Sequence, residues 1–505
     1  MKKNNQDVIT VSKLKFGWSE KKLLPEGVVV RLAGQFYERV SGEVETPLTV
    51  TAFVVEGDGD AAIFCSCDLV GVSHMLLTNV RENLKCRPDI PGDKVMISAI
   101  HTHTAPDYAQ RGDIPSTLNV KDSLKMIAPD VQYKTLVSSA EVNFDGEEAH
   151  DYIANTIAEA VVNAWDSRQE GGYAPGFGRA AVGHCRRACY DDGSAKMWGD
   201  TGVANFLELE AGNDSGIELL FTYDLQMKLT GVVATVACPA QVLEHRSFIS
   251  SDFWGKVKEN LRNVYGKELF VLCLCAPAGD QCPRDLVRWV EPETPVADPN
   301  IRHETNRFRR ADPSMFDLSG CRLAARRIST EILFALEEVQ DIIWDAPLAH
   351  RVRELPLPIR RVSLEDRDAA IKAIKEYLTG KTVVNYEDSA MLHIHVGTIN
   401  RYRLQQEIDT RSIELHTVRL GDIAFCTNPF ELFLNYGNQI RSRSRAAQTF
   451  MIQLSCGNFG YLPTLRAEQG SHYSAYVSSG LFGHAGGDML VRSTLEEIRK
   501  LFPEN

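Results

Sequence analysis

The sequence predicts a mixed α/β protein in which helices pack on several sheets. Short runs rich in β-branched and aromatic residues alternate along the chain with longer segments of helical periodicity. No fixed-period repeat and no low-complexity segment interrupts this alternation. At 505 residues the chain exceeds what one simple core usually holds. We therefore expect one large elaborated domain over residues 1–505, with a sub-lobe that begins near residue 347.

Strands are predicted where short apolar runs are bounded by Gly, Pro, Asn or Asp. They cover Leu48–Val55, Ala61–Cys67, Val95–Ile100, Gly216–Tyr223, Gly231–Ala237, Leu269–Leu274 and Asp422–Thr427. Helices are predicted where the apolar residues follow a helical period, over Ala149–Ser167, Phe253–Tyr265, Gly320–Val339, Leu364–Leu378 and Leu490–Leu501. Two polar stretches, Gln110–Ala128 and Arg284–Pro313, are predicted to be surface insertions.

Bulk composition excludes several classes of protein. A formal net charge of -12 argues against a general nucleic-acid binder. The N-terminal segment has no secretory apolar run, and no stretch approaches the roughly 20 apolar residues of a membrane span. Many of the twelve cysteines lie in apolar runs, as expected of buried free thiols in a reducing compartment. We expect a cytoplasmic protein without stable membrane insertion that acts on a small molecule, and a homo-oligomer is compatible with this sequence.

The sharpest local signal is a pair of histidines, His101 and His103, directly after the predicted strand Val95–Ile100. In extended backbone, alternate residues face the same side, so both imidazoles can point into one pocket. One imidazole can bind a metal ion while its neighbour hydrogen-bonds the substrate or a bound water. The alternative is that the two histidines only cap the strand end through hydrogen bonds.

Other segments carry groups suited to chemistry, each with a structural alternative. Arg186 and Arg187 offer donor forks for a carboxylate, a phosphate or a developing oxyanion, or else belong to a salt-bridge network. Glu244 and His245 lie in a loop that could reach a site or could simply be solvated. Glu431 follows a predicted strand, and we expect it to open a helix, where a carboxylate needs no functional role.

Taken together and in order, these segments resemble the catalytic domain of the neutral (non-lysosomal) ceramidase family. That family has motifs of the type THTHSGP, NRS or NRR, ACHP followed by SSD, GDVNP, PGE and GYIPT. The matching segments here are His101–Pro106, Cys185–Arg187, Ala237–Ala240 with Ser250–Asp252, Gly279–Pro283, Asn428–Glu431 and Gly460–Thr464. Cys67–Gly71 further resembles the family's SLDLVG strand, and the resemblance spans roughly residues 14 to 502.

The resemblance implies a zinc ion held by His101, Glu431 and Tyr461. The family's fourth ligand, the histidine of ACHP, falls here at Pro239, whose side chain cannot bind a metal. We expect His245 in the same loop to take its place; Gln241, water or the loss of zinc are the alternatives.

The resemblance also places the second histidine of the motif, matching His103, and the arginine matching Arg186 beside the reacting carbonyl. The implied function is a metal-dependent hydrolase that attacks an amide or ester carbonyl with metal-activated water. Ceramide is not the expected substrate, because the chain shows no export signal, no additional C-terminal domain and no amphipathic membrane face. The alternatives are a metal-dependent lyase or isomerase acting on a sugar-like metabolite, and a binding protein without metal.

Overall fold

A computed structural model describes residues 14–35, 37–108, 113, 120–133, 141–287, 289–290, 310–311, 317–384 and 386–503. The two predicted insertions, at 110–128 and 284–313, lie in large part outside these residues. Within the described part of the first one, residues 120–127 form a helix.

The strands of the described chain are short except in the two main sheets. They are β1 Lys15–Lys22, β2 Val30–Arg31, β3 Val40–Ser41, β4 Thr49–Gly57, β5 Asp60–Cys67, β6 Val95–Ala99, β7 Gln132–Tyr133, β8 Gln169–Arg179, β9 His184–Cys185, β10 Arg187–Tyr190, β11 Ala195–Met197, β12 Phe206–Leu209, β13 Gly216–Asp224, β14 Leu229–Val236, β15 Phe270–Cys275, β16 Gln281–Cys282, β17 Trp289–Val290, β18 Arg310–Ala311, β19 Leu348–Pro358, β20 Val383–Val384, β21 Thr410–Leu420, β22 Ile423–Thr427, β23 Glu431–Leu432, β24 Gln448–Ile452 and β25 Tyr461–Leu462.

The helices confirm the predicted alternation with strands. They are α1 His74–Asn83, α2 Val120–Ile127, α3 Gly146–Asp166, α4 Asp252–Tyr265, α5 Asp317–Glu337, α6 Leu364–Leu378, α7 Tyr386–Leu404, α8 Leu434–Arg443, α9 Leu465–Gly470 and α10 His484–Leu501. Every predicted strand and helix is present: α6 has the predicted bounds, α10 begins six residues earlier than predicted, and the others differ slightly at one or both ends. No helix in the described part of the chain is long and apolar enough to cross a lipid bilayer.

Two sheets organise the fold. The larger has eight strands in the order β15-β14-β13-β8-β1-β4-β5-β6, and the smaller has four in the order β19-β21-β22-β24. Both are mixed, since β5–β6, β14–β15 and β22–β24 are parallel pairs within otherwise antiparallel surroundings. Parallel neighbours end at the same edge of a sheet, so the loops that follow β6, β14, β15, β22 and β24 can share one region.

The two sheets share a core. Phe64 of β5 lies 5.1 Å from Phe425 of β22, and Phe425 stacks on Phe450 of β24 at 4.5 Å. Helix α3 covers β1 and β4, while α4 and α5 pack on each other beside β13 and β15. The predicted free thiols are confirmed: all twelve cysteines are free, and all are buried except Cys86 and Cys189.

Candidate metal centre

His101 lies in a turn after β6 and has a strained backbone conformation. His101 follows β6 with φ 66°, a left-handed conformation that costs a non-glycine residue about 1–2 kcal/mol. Its amide donates to the Leu69 carbonyl at 3.0 Å, and its Nδ1 lies 2.7 Å from the Val70 carbonyl. Because a carbonyl only accepts, Nδ1 carries the hydrogen, and in the neutral ring the Nε2 lone pair is left for another partner.

The two imidazoles of the motif converge, with His103 Nε2 3.2 Å from His101 Nε2. The sequence predicted this convergence from the alternation of side chains along an extended strand. That reason was wrong, because β6 ends before His101 and the chain then turns. The loop is fixed instead by Thr102 and Thr104, whose hydroxyls each donate to the Ser250 carbonyl at 2.8 Å. The threonines thus tie the histidine turn to the segment that precedes α4.

His103 is enclosed by charged groups. Glu244 Oε2 lies 3.7 Å from His103 Nδ1, and Arg39 Nη2 donates to the His103 carbonyl at 2.6 Å. Burial, followed by the proximity of His101, Arg39 and Arg186, holds the pKa of His103 well below its usual value. The ring is therefore expected to be neutral in the protein alone.

Glu431 reaches this region from a strand. It lies in β23, and the prediction that it opens a helix was wrong, since α8 begins at Leu434. Strand β23 pairs in parallel with β25, and this register places Glu431 directly beside Tyr461. Glu431 Oε2 lies 3.5 Å from His101 Nε2. Residues more than 300 positions apart in the chain therefore meet here, which a local pattern cannot indicate.

Arg186 lies next to the same carboxylate and phenol. Its Nη2 donates to the Gly279 carbonyl at 2.8 Å, and its guanidinium carbon lies 5.4 Å from the centre of the Tyr461 ring. The side chain is only 4% exposed. Burial alone would lower the pKa of Arg186, but the acidic groups of Tyr461 and Glu431 raise it above its usual value. The guanidinium is a fixed, permanent charge in this site.

Tyr473 is a component that sequence reasoning missed. Its ring lies 5.7 Å from the Tyr461 ring, and Arg186 lies 6.0 Å from its centre. Burial, and then the negative charge of Glu431, raises the pKa of both phenols, that of Tyr461 well above its usual value. No motif marks Tyr473, because its place in the site depends on how the segment after α9 folds back.

The loop after β14 runs along the histidine turn. The Ala240 amide donates to the Ile100 carbonyl at 3.1 Å, which brings Pro239 next to the turn. In this loop Glu244 is buried, at 4% exposure, and its carboxylate faces His103. The sequence had left Glu244 as either a site residue or a solvated one, and its burial excludes the solvated alternative. The assignment of His245 as a metal ligand stays a prediction.

The donors around His101 fit a divalent cation. Two ligands at about 2.0–2.2 Å from a tetrahedral zinc ion lie about 3.3–3.6 Å apart. The 3.5 Å between His101 Nε2 and Glu431 Oε2 agrees with that spacing. The hydrogen bond from His101 Nδ1 to Val70 is the outer contact that usually orients a metal-bound imidazole. An imidazole and a carboxylate are ligands that zinc takes in proteins, and the β23–β25 register places Tyr461 beside this carboxylate.

A second group of ligand-type side chains lies elsewhere in the core. Glu414, His416 and Cys456 are buried, and their ligand atoms lie within 4.8 Å of one another. Both nitrogens of His416 already have partners, Glu414 Oε1 at 2.6 Å and His350 Nε2 at 2.9 Å. Arg81 also donates to both oxygens of Glu414 at 2.8 Å. A cation would compete with Arg81 for this carboxylate, so the arrangement suits an ion-pair network better than a metal site.

Fold and site together define a mixed α/β protein whose candidate metal centre lies where loops from two sheets meet. Its structure is similar to that of neutral ceramidase from Pseudomonas aeruginosa, with a TM-score of 0.65 and 15% identity, over 97% of this chain and 74% of that one. It is also similar to a ceramidase complexed with C2, with a TM-score of 0.67 and 15% identity, over 97% and 75% of the two chains. No family model and no curated protein sequence matches the chain. The protein therefore has the neutral ceramidase fold, which confirms the predicted fold class.

Proposed function

We propose that the protein is a metal-dependent hydrolase that attacks the amide or ester carbonyl of a small molecule. The observation that carries this proposal is the 3.5 Å between His101 Nε2 and Glu431 Oε2, with Arg186 and Tyr461 beside them. The fold supports it, because the solved structures that share this fold are described as ceramidases. A shared fold does not determine the substrate, so the acyl compound is a separate question.

In this proposal zinc is held by His101, Glu431 and Tyr461, and His245 supplies a further ligand. When bound, such an ion acidifies a water molecule and polarises the substrate carbonyl. The chain's own part is to hold the donors: Val70 orients the imidazole of His101, and the β23–β25 pairing orients the other two side chains.

Arg186 and His103 act on the substrate rather than on the ion. Arg186 is held by the Gly279 carbonyl and presents its positive charge where negative charge develops on the carbonyl oxygen. His103 Nε2 lies 3.2 Å from His101 Nε2, the atom proposed to bind the ion. From this position His103 can hydrogen-bond the substrate and exchange a proton with the substrate. The charge pattern of the site therefore suits a neutral carbonyl that becomes an oxyanion.

The test is to measure metal content and activity in the same variants. His101→Ala should lose most of about one equivalent of zinc and lower activity by roughly 100-fold, because a ligand is removed. Cys456→Ser is the matched control, since Cys456 belongs to the other cluster of ligand-type residues. Metal content should be unchanged in that control. Zinc that survives in His101→Ala but disappears in Cys456→Ser would contradict the proposed centre.

The substrate class is tested on the metal-loaded protein with N-acyl and O-acyl compounds in parallel. Release of the carboxylic acid from either series supports the hydrolase. A protein that holds zinc and cleaves neither series, but acts on sugar derivatives, would favour the lyase or isomerase instead. A protein that binds no metal would leave only the binding function.

A further inference from the structure

Helix α7 carries an arginine whose charge is buried without compensation. Arg401 is only 3% exposed. Its Nη2 donates to the Gly480 carbonyl, and its Nε to the Val477 carbonyl at 3.4 Å. Its Nη1 is enclosed and has no hydrogen-bond partner. Two neutral carbonyls thus satisfy part of the guanidinium fork, and the nitrogen Nη1 has no partner.

The residues that the structure describes place no carboxylate within ion-pair distance of Arg401. The charged group that acts on it is another arginine, Arg360, and burial together with this like charge lowers the pKa of Arg401 to about 9. A guanidinium nevertheless keeps its proton in proteins. The positive charge therefore remains in the interior, where its acceptors in the described residues are the two carbonyl oxygens.

Arg360 is held against the same turn. Its Nη1 donates to the Ala475 carbonyl at 2.7 Å, so both guanidinium groups bind carbonyls of residues 475–480. Among the described residues, Arg360 forms an ion pair with Glu468, whose Oε2 lies 3.7 Å from Nε. Glu468 also accepts the amide and Nδ1 of His484, at 2.7 and 2.9 Å. One shared carboxylate thus serves Arg360 and His484.

We propose that Arg401, with Arg360 beside it, binds a small oxyanion at the 475–480 turn. The ligand is a phosphate or carboxylate group, because a guanidinium donor in an enclosed site recognises these oxygens selectively. A buried charge without a counter-charge is unfavourable, and an anion at Nη1 would offset that cost.

The proposed anion site adjoins the strand that carries Tyr461 of the candidate metal centre. Gly480 pairs with Gly460 in an isolated bridge, and Gly460 precedes Tyr461. A Cβ at Gly480 would come within 2.0 Å of the Tyr461 carbonyl, so the turn touches the strand that carries the phenol. The proposal does not depend on the protein being a hydrolase.

The experiment measures the melting temperature of the full chain in sodium chloride, sodium phosphate and sodium acetate at matched ionic strength. Phosphate or acetate should raise the melting temperature of the wild-type protein by at least about 2 °C relative to chloride. Which of the two acts tells whether inorganic phosphate or a carboxylate is the ligand. In Arg401→Met the increase should disappear, while in Arg361→Met it should remain. Arg361→Met is the matched control because it removes the same charge. Arg361 is adjacent in sequence to Arg360 and forms an ion pair with Asp409.

The chloride measurement separates this proposal from a purely structural role. If the role of Arg401 is to bind an anion, Arg401→Met should be as stable as the wild type in chloride. The reason is that methionine has a similar length and removes a buried charge that has no counter-charge. A melting temperature lowered by more than about 5 °C in chloride, or a variant that does not fold there, would show that Arg401 stabilises the protein unaided and would overturn the proposal. An equal response to phosphate and acetate in the wild type and in Arg401→Met would overturn it too, as would a wild-type response no larger than that to chloride.

Discussion

Arg186 and Arg187 are adjacent in sequence but have different tasks in the structure. Arg187 is fully buried, with its Nε 2.9 Å from Glu210, which is the salt-bridge alternative that the sequence left open for the pair. Arg186 instead lies over Tyr461 and beside Glu431. The same residue type thus serves stability at one position and the candidate site at the next.

For Arg186 we predict that substitution by lysine separates metal binding from turnover. Arg186→Lys keeps a positive charge but loses the planar fork, so turnover should fall by roughly tenfold or more while zinc content stays at the wild-type level. Metal analysis and steady-state kinetics on the same preparation check this. Arg361→Lys, at an exposed ion pair, should change neither quantity. Full activity in Arg186→Lys would make that arginine structural, like its neighbour.

At the level of elements, the site depends on close contact between the turn after β15 and strand β23. The Gly279 amide donates to the Leu432 carbonyl at 2.8 Å, and a Cβ at Gly279 would lie 2.2 Å from the Glu431 carbonyl. Asp280 of the same turn accepts the Leu434 amide at 2.9 Å, which fixes the start of α8. The turn therefore sets the position of β23 without providing a ligand itself.

We predict that Gly279→Ala weakens the proposed metal centre although none of the proposed ligands is changed. The added methyl group must push β23 aside, which should lower the free energy of unfolding by about 1–3 kcal/mol and weaken zinc binding. Denaturant unfolding and zinc titration measure the two effects. Gly92→Ala is the control, because nothing lies within 4 Å of a Cβ built there. Unchanged zinc affinity in Gly279→Ala would mean that β23 is positioned by other contacts.

At the level of the whole molecule, a buried chain of hydrogen bonds joins the two sheets. It runs from the Ala61 carbonyl of β5 through His350 of β19 to His416 and Glu414 of β21, and ends at Arg81 of α1. Burial, followed by the neighbouring His416, holds the pKa of His350 well below its usual value, so this ring is neutral. Its Nδ1 faces the Ala61 carbonyl and donates, and its Nε2 therefore accepts from His416 Nδ1. His416 Nε2 then donates to the carboxylate, which makes His416 an imidazolium and leaves His350 neutral.

This network predicts a loss of stability at alkaline pH. Burial would lower the pKa of His416, but Cys456 and Glu414 outweigh it and raise the pKa to about 9 from an ordinary 6.5. Because the pKa of His416 is raised on folding, its protonation stabilises the folded protein, on the order of 3 kcal/mol. This stabilisation is complete below about pH 6.5 and is lost as the pH rises through about 9. Denaturant unfolding between pH 6 and 10 measures this. His416→Gln should remove most of the slope, and an unchanged slope in that variant would assign it to other groups.

Much of the fold could be predicted because many of its strands and helices have recognisable patterns in their own residues. The apolar runs of β5, β6 and β22 and the periodic apolar residues of α4 and α6 are properties of neighbouring residues, and these elements were found. Strand β8 was missed because it contains four glycines and a proline in eleven residues, and the register with β13 rather than its own composition makes it a strand. Helix α7 was missed because its apolar residues follow no helical period.

The sequence by itself determined the α/β alternation and the position of the histidine pair after β6, because both are encoded in residues that are close together in the chain. The order of the motifs along the whole chain added the fold resemblance and the residues expected at the site. Only the tertiary structure decided how these distant groups meet, with Glu431 beside Tyr461 through the β23–β25 register. It also brought Tyr473 to the site through the segment after α9 and placed Arg401 against the 475–480 turn, and no motif marks either residue. The physical reason is that hydrogen-bond register and the burial of charge are set by partners hundreds of residues away. A local pattern can propose a ligand, but only the assembled core fixes the distance between two of them.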